Sequence, residues 1–181
     1  MTLGSLPNIK EFHTYSDMAQ TEVLDVLFEP SPAIHTTLLQ VIRTAVYSTY
    51  PDLIDACQIR LLSLAASRNT SEPNPVLLSV LSSHPRLGEK TITSAQSAAE
   101  QASLGGEEEE LAALNKEYEE KFPGLRYVVF VNGRPRQVIF QDMRERINRD
   151  DYTKEVAAAI QAMCDIAKDR ASKLLGEKLI G

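Results

Sequence analysis

The sequence predicts an all-α fold, a single-domain compact helical bundle with one extended connector near residues 125–133. Three observations predict it. Apolar residues recur at helical spacing through most of the chain before His84 and again after Gly106. Stretches rich in proline, glycine and small polar residues, such as Pro30-Ser31-Pro32, residues 69–75, Gly105-Gly106 and Pro123-Gly124, punctuate those periodic runs. A single segment, Leu125-Arg126-Tyr127-Val128-Val129-Phe130-Val131, is strongly β-type. At 181 residues the chain is long enough to bury a core without disulfides or a structural metal.

The first dozen residues, with Gly4 and Pro7, read as a loose arm, giving an expected division into an arm at 1–15 and a helical domain at 16–181. Ser16 is placed to cap a first helix whose stripe is Val23, Leu24, Leu27 and Phe28. A second helix fits residues 32–47, with Ile34, Leu38, Val41, Ile42 and Ala45 on one side. A third fits residues 51–66, with Leu53, Ile54, Cys57, Leu61 and Leu62 apolar. After the loop at 69–75, an apolar helical run from Pro75 to Leu81 leads to His84. Residues 94–101 have helix-forming composition, and Glu107 to Glu110 begin a further helix whose acidic first turn suits the helix dipole. Leu111, Leu114, Tyr118 and Phe122 carry that helix to Pro123-Gly124. Propensity would make a hairpin of the β-type run, Asn132-Gly133 and residues 137–140. Pro135 can instead begin a helix in which Ile139, Met143 and Ile147 fall at fourfold spacing. The last helix, residues 151–175, has Val156, Ile160, Met163, Ala167, Ala171 and Leu174 as its stripe.

Composition excludes several classes of function. A net charge of −6, with Lys and Arg interspersed among acids, argues against a nucleic-acid surface. No run approaches the ~20 apolar residues of a membrane span, and the N-terminus lacks a secretory pattern, so an intracellular protein is expected, cytoplasmic in preference to peroxisomal. Ser172-Lys173-Leu174 spells a peroxisomal tripeptide internally, whereas the chain ends Leu179-Ile180-Gly181. Cys57 and Cys164 sit in apolar helical patterns and read as small buried hydrophobes. His13, His35 and His84 are widely separated, which gives no zinc spacing, and no cofactor motif is present.

The candidate site is Ser83-His84-Pro85-Arg86-Leu87-Gly88-Glu89-Lys90 followed by Ser97-Ala98-Ala99-Glu100-Gln101. Pro85 pushes His84 out of the α region, so the preceding helix stops at or just before the imidazole, which is expected to project from a scaffold edge. Ser97 and Glu100, three apart, share one helical face, with Gln101 one position further round. Spacing alone leaves another reading open, a capping box at Ser97 and a surface histidine at 84. Arg170 falls within the apolar stripe of the last helix, where a guanidinium must snorkel, pair with a carboxylate, or bind an anionic ligand.

Together, His-Pro-x-Leu-Gly, Ser-x-x-Glu-Gln and Leu114-Asn115-x-x-Tyr118-x-x-Lys121-Phe122 resemble the 2-oxo-4-hydroxy-4-carboxy-5-ureidoimidazoline (OHCU) decarboxylase family of urate breakdown. The resemblance extends back to Phe28-Glu29-x-Ser31-Pro32 and forward to Ile166-Ala167-x-x-Arg170, covering residues 19–176. It implies cofactor-independent decarboxylation to (S)-allantoin, a small-molecule partner, and a homodimer. It further implies His84 as proton-transfer residue and Glu100 as its catalytic companion. Pro85, Ser97, Gln101, Arg170 and the connector residues Val128, Val129, Phe130 and Val131 would bind substrate. The chain departs from the family pattern in a shorter gap from His84 to Glu100, in Pro123-Gly124-Leu125-Arg126-Tyr127 replacing a Gly-Phe-Pro-Phe type sequence, and in a basic Arg86 where an acid is usual. The competing readings are a non-catalytic helical interaction module of the same fold and a hydrolase acting on a related ureide.

Overall fold

The computed structural model describes residues 5–67, 73–89, 95–101 and 108–176, and of residues 99–101 the backbone alone. Among the described residues there are eight α-helices and no strand: α1 (Asp17–Leu27), α2 (Pro32–Thr44), α3 (Tyr50–Ala66), α4 (Pro75–Leu81), α5 (Ala95–Gln101), α6 (Glu108–Lys121), α7 (Arg136–Arg149) and α8 (Tyr152–Gly176). The all-α expectation is met.

The helix starts follow local chemistry. The Ser16 hydroxyl accepts from the Ala19 amide at 3.3 Å. Thr49 and Asp52 form a reciprocal capping box around Pro51, and Asn74 caps α4 ahead of Pro75. α2 ends at Thr44, three residues before the expected end, because the Val41 carbonyl is taken by the side chains of Thr44 (3.0 Å) and Tyr47 (2.9 Å). Those hydroxyls replace the amide that a continued helix would bring to the same oxygen.

α8 is the axis of the bundle. It buries Val156, Ala159, Ile160, Met163, Cys164, Ala167 and Ala171 along one face, packed chiefly on α3 and also on α1. The core continues through Leu24, Leu27, Ile34, Leu38, Leu53, Ile54 and Leu61. Leu6 and Phe12, from the segment ahead of α1, also lie in it, and the Tyr50 hydroxyl holds that segment at the Pro7 carbonyl (2.9 Å). Cys57 and Cys164 are buried free thiols, and burial pushes the Cys164 thiol up to about 12. No helix among the described residues is long and apolar enough to cross a membrane.

Among the described residues, 125–131 form a connector that belongs to neither a helix nor a strand. The hairpin fails because residues 136–149 form α7, with Ile139, Met143 and Ile147 buried. The connector's carbonyls find arginines instead. Val128 accepts from Arg146 at 3.2 Å, while Phe130 and Val131 accept from the Arg134 guanidinium at 2.5 and 3.2 Å. A buried backbone must place its polar groups somewhere, and here cationic side chains from α7 and the turn before it do what a neighbouring strand would do.

Candidate active site

Four distant parts of the chain meet behind one cavity. Glu29 sits in the corner between α1 and α2, held extended by Pro30, and is 2% exposed. Arg170, 3% exposed, reaches it from α8. One arm of the guanidinium, Nη1, donates to the Phe28 carbonyl at 2.5 Å and the Leu27 carbonyl at 3.4 Å, which satisfies the C-terminal end of α1. The other, Nη2, donates to Glu29 Oε1 at 3.0 Å and Ser97 Oγ at 2.9 Å. The Ser97 hydroxyl in turn donates to Glu29 Oε1. Of the alternatives open for Arg170, pairing with a carboxylate is thus realised.

His84 Nδ1 lies 3.7 Å from the same Glu29 oxygen, beyond hydrogen-bonding distance but within ion-pair range. The expectation that His84 projects from an exposed edge is corrected: α4 does stop before it, at Leu81, yet the residue is buried. The Arg126 guanidinium donates to the His84 carbonyl at 3.3 Å, and the connector closes over it. Burial, reinforced by the charges of Arg170 and Arg126, lowers the imidazole to about 3, so His84 is neutral at pH 7.

A cavity of about 260 Å³ is lined by His84, Val129, Phe130, Val131, Asn132, Gly133, Ile166, Asp169 and Lys173. Three of the four connector residues expected at the ligand therefore line it. Val128 faces the core instead, its carbonyl held by Arg146. Pro85 is half-buried beside His84 and outside the cavity lining. Among the described residues, no backbone N–H of residues 129–131 donates to a protein acceptor. The side chains of Glu100 and Gln101 lie outside the described residues; their backbone belongs to α5, the helix that carries Ser97. Among the described residues no group of acids, histidines and cysteines is arranged to hold a metal.

The other motif residues act as scaffold. Asn115 donates to the Leu87 carbonyl at 2.9 Å, tying the loop after His84 to α6. Gly88 has φ +78°, which favours glycine, and a Cβ there would stand 2.5 Å from Leu111 Cδ2, so that side chain of α6 would have to move. Arg86 turns away from the cavity into a two-point pair with Glu119 of α6, at 2.5 and 3.0 Å. Tyr118 donates to Glu155 at 2.7 Å, and Arg146 and Arg149 close on the same buried carboxylate.

Sequence reasoning missed Glu29 and Arg126. Glu29 stood in a quoted stretch, Phe28-Glu29-x-Ser31-Pro32, without a role. Its signal was indirect, a carboxylate required somewhere by an arginine in an apolar stripe.

The sequence profile of the OHCU decarboxylase family matches residues 13–172. The chain is also similar to the uric acid degradation bifunctional protein PucL of Bacillus subtilis (strain 168), at 32% identity over 120 residues. The aligned region is 63% of this chain and 23% of that protein, so the chain spans about a quarter of its relative's length. With a profile match running from the 3-10 turn ahead of α1 to within the last turns of α8, the chain belongs to the OHCU decarboxylase family.

Proposed function

We propose that this chain decarboxylates 2-oxo-4-hydroxy-4-carboxy-5-ureidoimidazoline to (S)-allantoin and carbon dioxide, a step of urate breakdown, without a cofactor. The observation that carries the reading is a neutral, buried imidazole on the wall of a small cavity whose lining includes connector residues 129–131, with N–H donors that no described protein acceptor takes. At about 260 Å³ the space suits a small polar heterocycle. Family membership and the relative's name, which concerns uric acid degradation, point to the same chemistry.

The substrate carries its own electron sink. As the bond to the carboxylate breaks, the electron pair passes into the unsaturated ring and carbon dioxide leaves. His84 takes the hydroxyl proton as the ring carbonyl forms and returns it to one face of the ring carbon. A ring nitrogen takes up one proton from solvent, so each turnover consumes one proton and the charge balances. The free N–H groups of residues 129–131 bind ring or ureido carbonyls, and Glu100 and Gln101 take the ureido and ring amides. Arg170 and Ser97 supply positive charge and a fixed hydroxyl behind the imidazole. Lys173, paired with Asp169 at 2.6 Å on the cavity lining, offers a cation to the incoming carboxylate.

The test is release of labelled carbon dioxide from freshly generated ureidoimidazoline carrying the label in its carboxylate. Release well above the spontaneous rate is expected; a protein that leaves the spontaneous rate unchanged rules the reading out.

A further inference from the structure

We propose that Glu29 is a positioning carboxylate for the imidazole: it holds His84 in the tautomer whose Nδ1 carries the proton, so that Nε2 presents a lone pair to the cavity. The consequence for turnover rests on the decarboxylase reading; the tautomer itself rests on geometry.

A neutral imidazole has one proton and two nitrogens to put it on, and the partner of one nitrogen decides the state of the other. Glu29 Oε1 lies 3.7 Å from Nδ1 of the His84 ring. A carboxylate oxygen accepts and cannot donate, so a lone pair on Nδ1 would face a negative oxygen while an N–H there is attracted to it. At 3.7 Å the contact is within ion-pair range and too long for a hydrogen bond. Catalytic hydrogen bonds commonly tighten when substrate enters.

Glu29 is built to stay where it is. Its side chain is 3% exposed, its Oε1 is gripped by Arg170 Nη2 and by Ser97 Oγ, and Pro30 fixes the backbone that carries it. Arg170 is fixed in turn by the two carbonyls at the end of α1. The carboxylate is therefore an anchored reference against which the ring is oriented, and three segments of the chain contribute to the anchor. With Nδ1 on the side of Glu29, Nε2 is the ring nitrogen left to serve the cavity that His84 lines. An Nε2 lone pair there accepts the substrate's hydroxyl proton; an Nε2–H would not. The negative charge of Glu29 also favours the imidazolium that forms in passing.

The direct experiment reads the imidazole nitrogens by long-range ¹H–¹⁵N correlation in the labelled full chain at pH 7, with the His84 signals assigned by their loss in His84→Gln. A protonated Nδ1 and an unprotonated Nε2 are expected, and a protonated Nε2 overturns the proposal. Glu29→Gln places an amide donor beside Nδ1, so it should move the proton to Nε2. In serine proteases the wrong tautomer lowers kcat by about 10⁴, and here a fall of roughly 10- to 10⁴-fold is expected with KM changed less than about threefold. Glu29→Asp, which keeps the charge, should restore the wild-type tautomer and part of the rate. An Nδ1-protonated ring in Glu29→Gln at undiminished kcat also overturns the proposal. Should Glu29→Gln fail to fold, the wild-type spectrum still decides. Wild-type protein with the expected tautomer but no carbon dioxide release would sink the functional reading and leave the positioning role standing; active protein with Nε2 protonated would do the reverse.

Discussion

At pH 7 the His84 imidazole is uncharged, because burial and the guanidinium groups of Arg170 and Arg126 disfavour its charged form. Two consequences follow for pH. Its folded-state value of about 3 lies below the unfolded value near 6.5, so between those limits the unfolded chain binds more protons. Stability from this group is fully present above pH 6.5 and is lost as pH falls toward 3. Urea unfolding at pH 4 and pH 7 should show that slope, and His84→Gln should flatten it. In catalysis, kcat/KM should show no enzyme inflection near 6.5, since that parameter reports the free protein's groups. A bell centred on an ordinary histidine would contradict the burial. Arg170→Lys belongs to the same scale. Losing the planar fork that spans Leu27, Phe28, Glu29 and Ser97 should lower both turnover and stability, the latter by about 3–5 kcal/mol if the buried pair is broken outright. Equal melting temperature and equal rate with lysine would refute the anchoring role.

The helices hold the site through a few fixed points. Gly88→Ala forces a side chain into the left-handed region and against Leu111. It should cost about 1–3 kcal/mol and displace the loop that carries His84, measured as a lower unfolding midpoint together with reduced turnover. Asn115→Ala leaves the Leu87 carbonyl without its partner, an expected loss of about 1–3 kcal/mol in the same assay. Much of this was legible from sequence. Helix starts at Ser16, Pro75 and after Pro135 follow from caps and prolines, whose effects are local. The premature end of α2 was not legible, because it depends on Tyr47 folding back onto Val41. The burial of His84 was hidden for a similar reason. Proline chemistry ends the helix, but the cover comes from residues some 40 positions later, and Arg126 to His84 is a contact across 42 residues. Glu29 and Arg170 are 141 apart, and periodicity could show that Arg170 needed a partner without showing which.

At the scale of the whole molecule, α8 couples the site to the core: the helix that packs on α3 also carries Arg170 to the corner between α1 and α2. Circular dichroism should be dominated by helix, and the chain is expected to sediment as a homodimer at micromolar concentration, an expectation resting on family resemblance and on the prevalence of twofold dimers; a monomer would contradict the latter. In the proposed reaction His84 delivers a proton to one face of a small substrate inside an ordered cavity. The most direct test is the enantiomeric excess of allantoin formed from freshly generated ureidoimidazoline, measured together with rate for wild-type protein and His84→Ala. Spontaneous decay gives a racemate. Wild-type protein should give (S)-allantoin, and His84→Ala a rate lower by ~100- to ~10,000-fold with handedness decaying toward racemic. Pure (S)-allantoin from His84→Ala at near wild-type speed would contradict that role of His84.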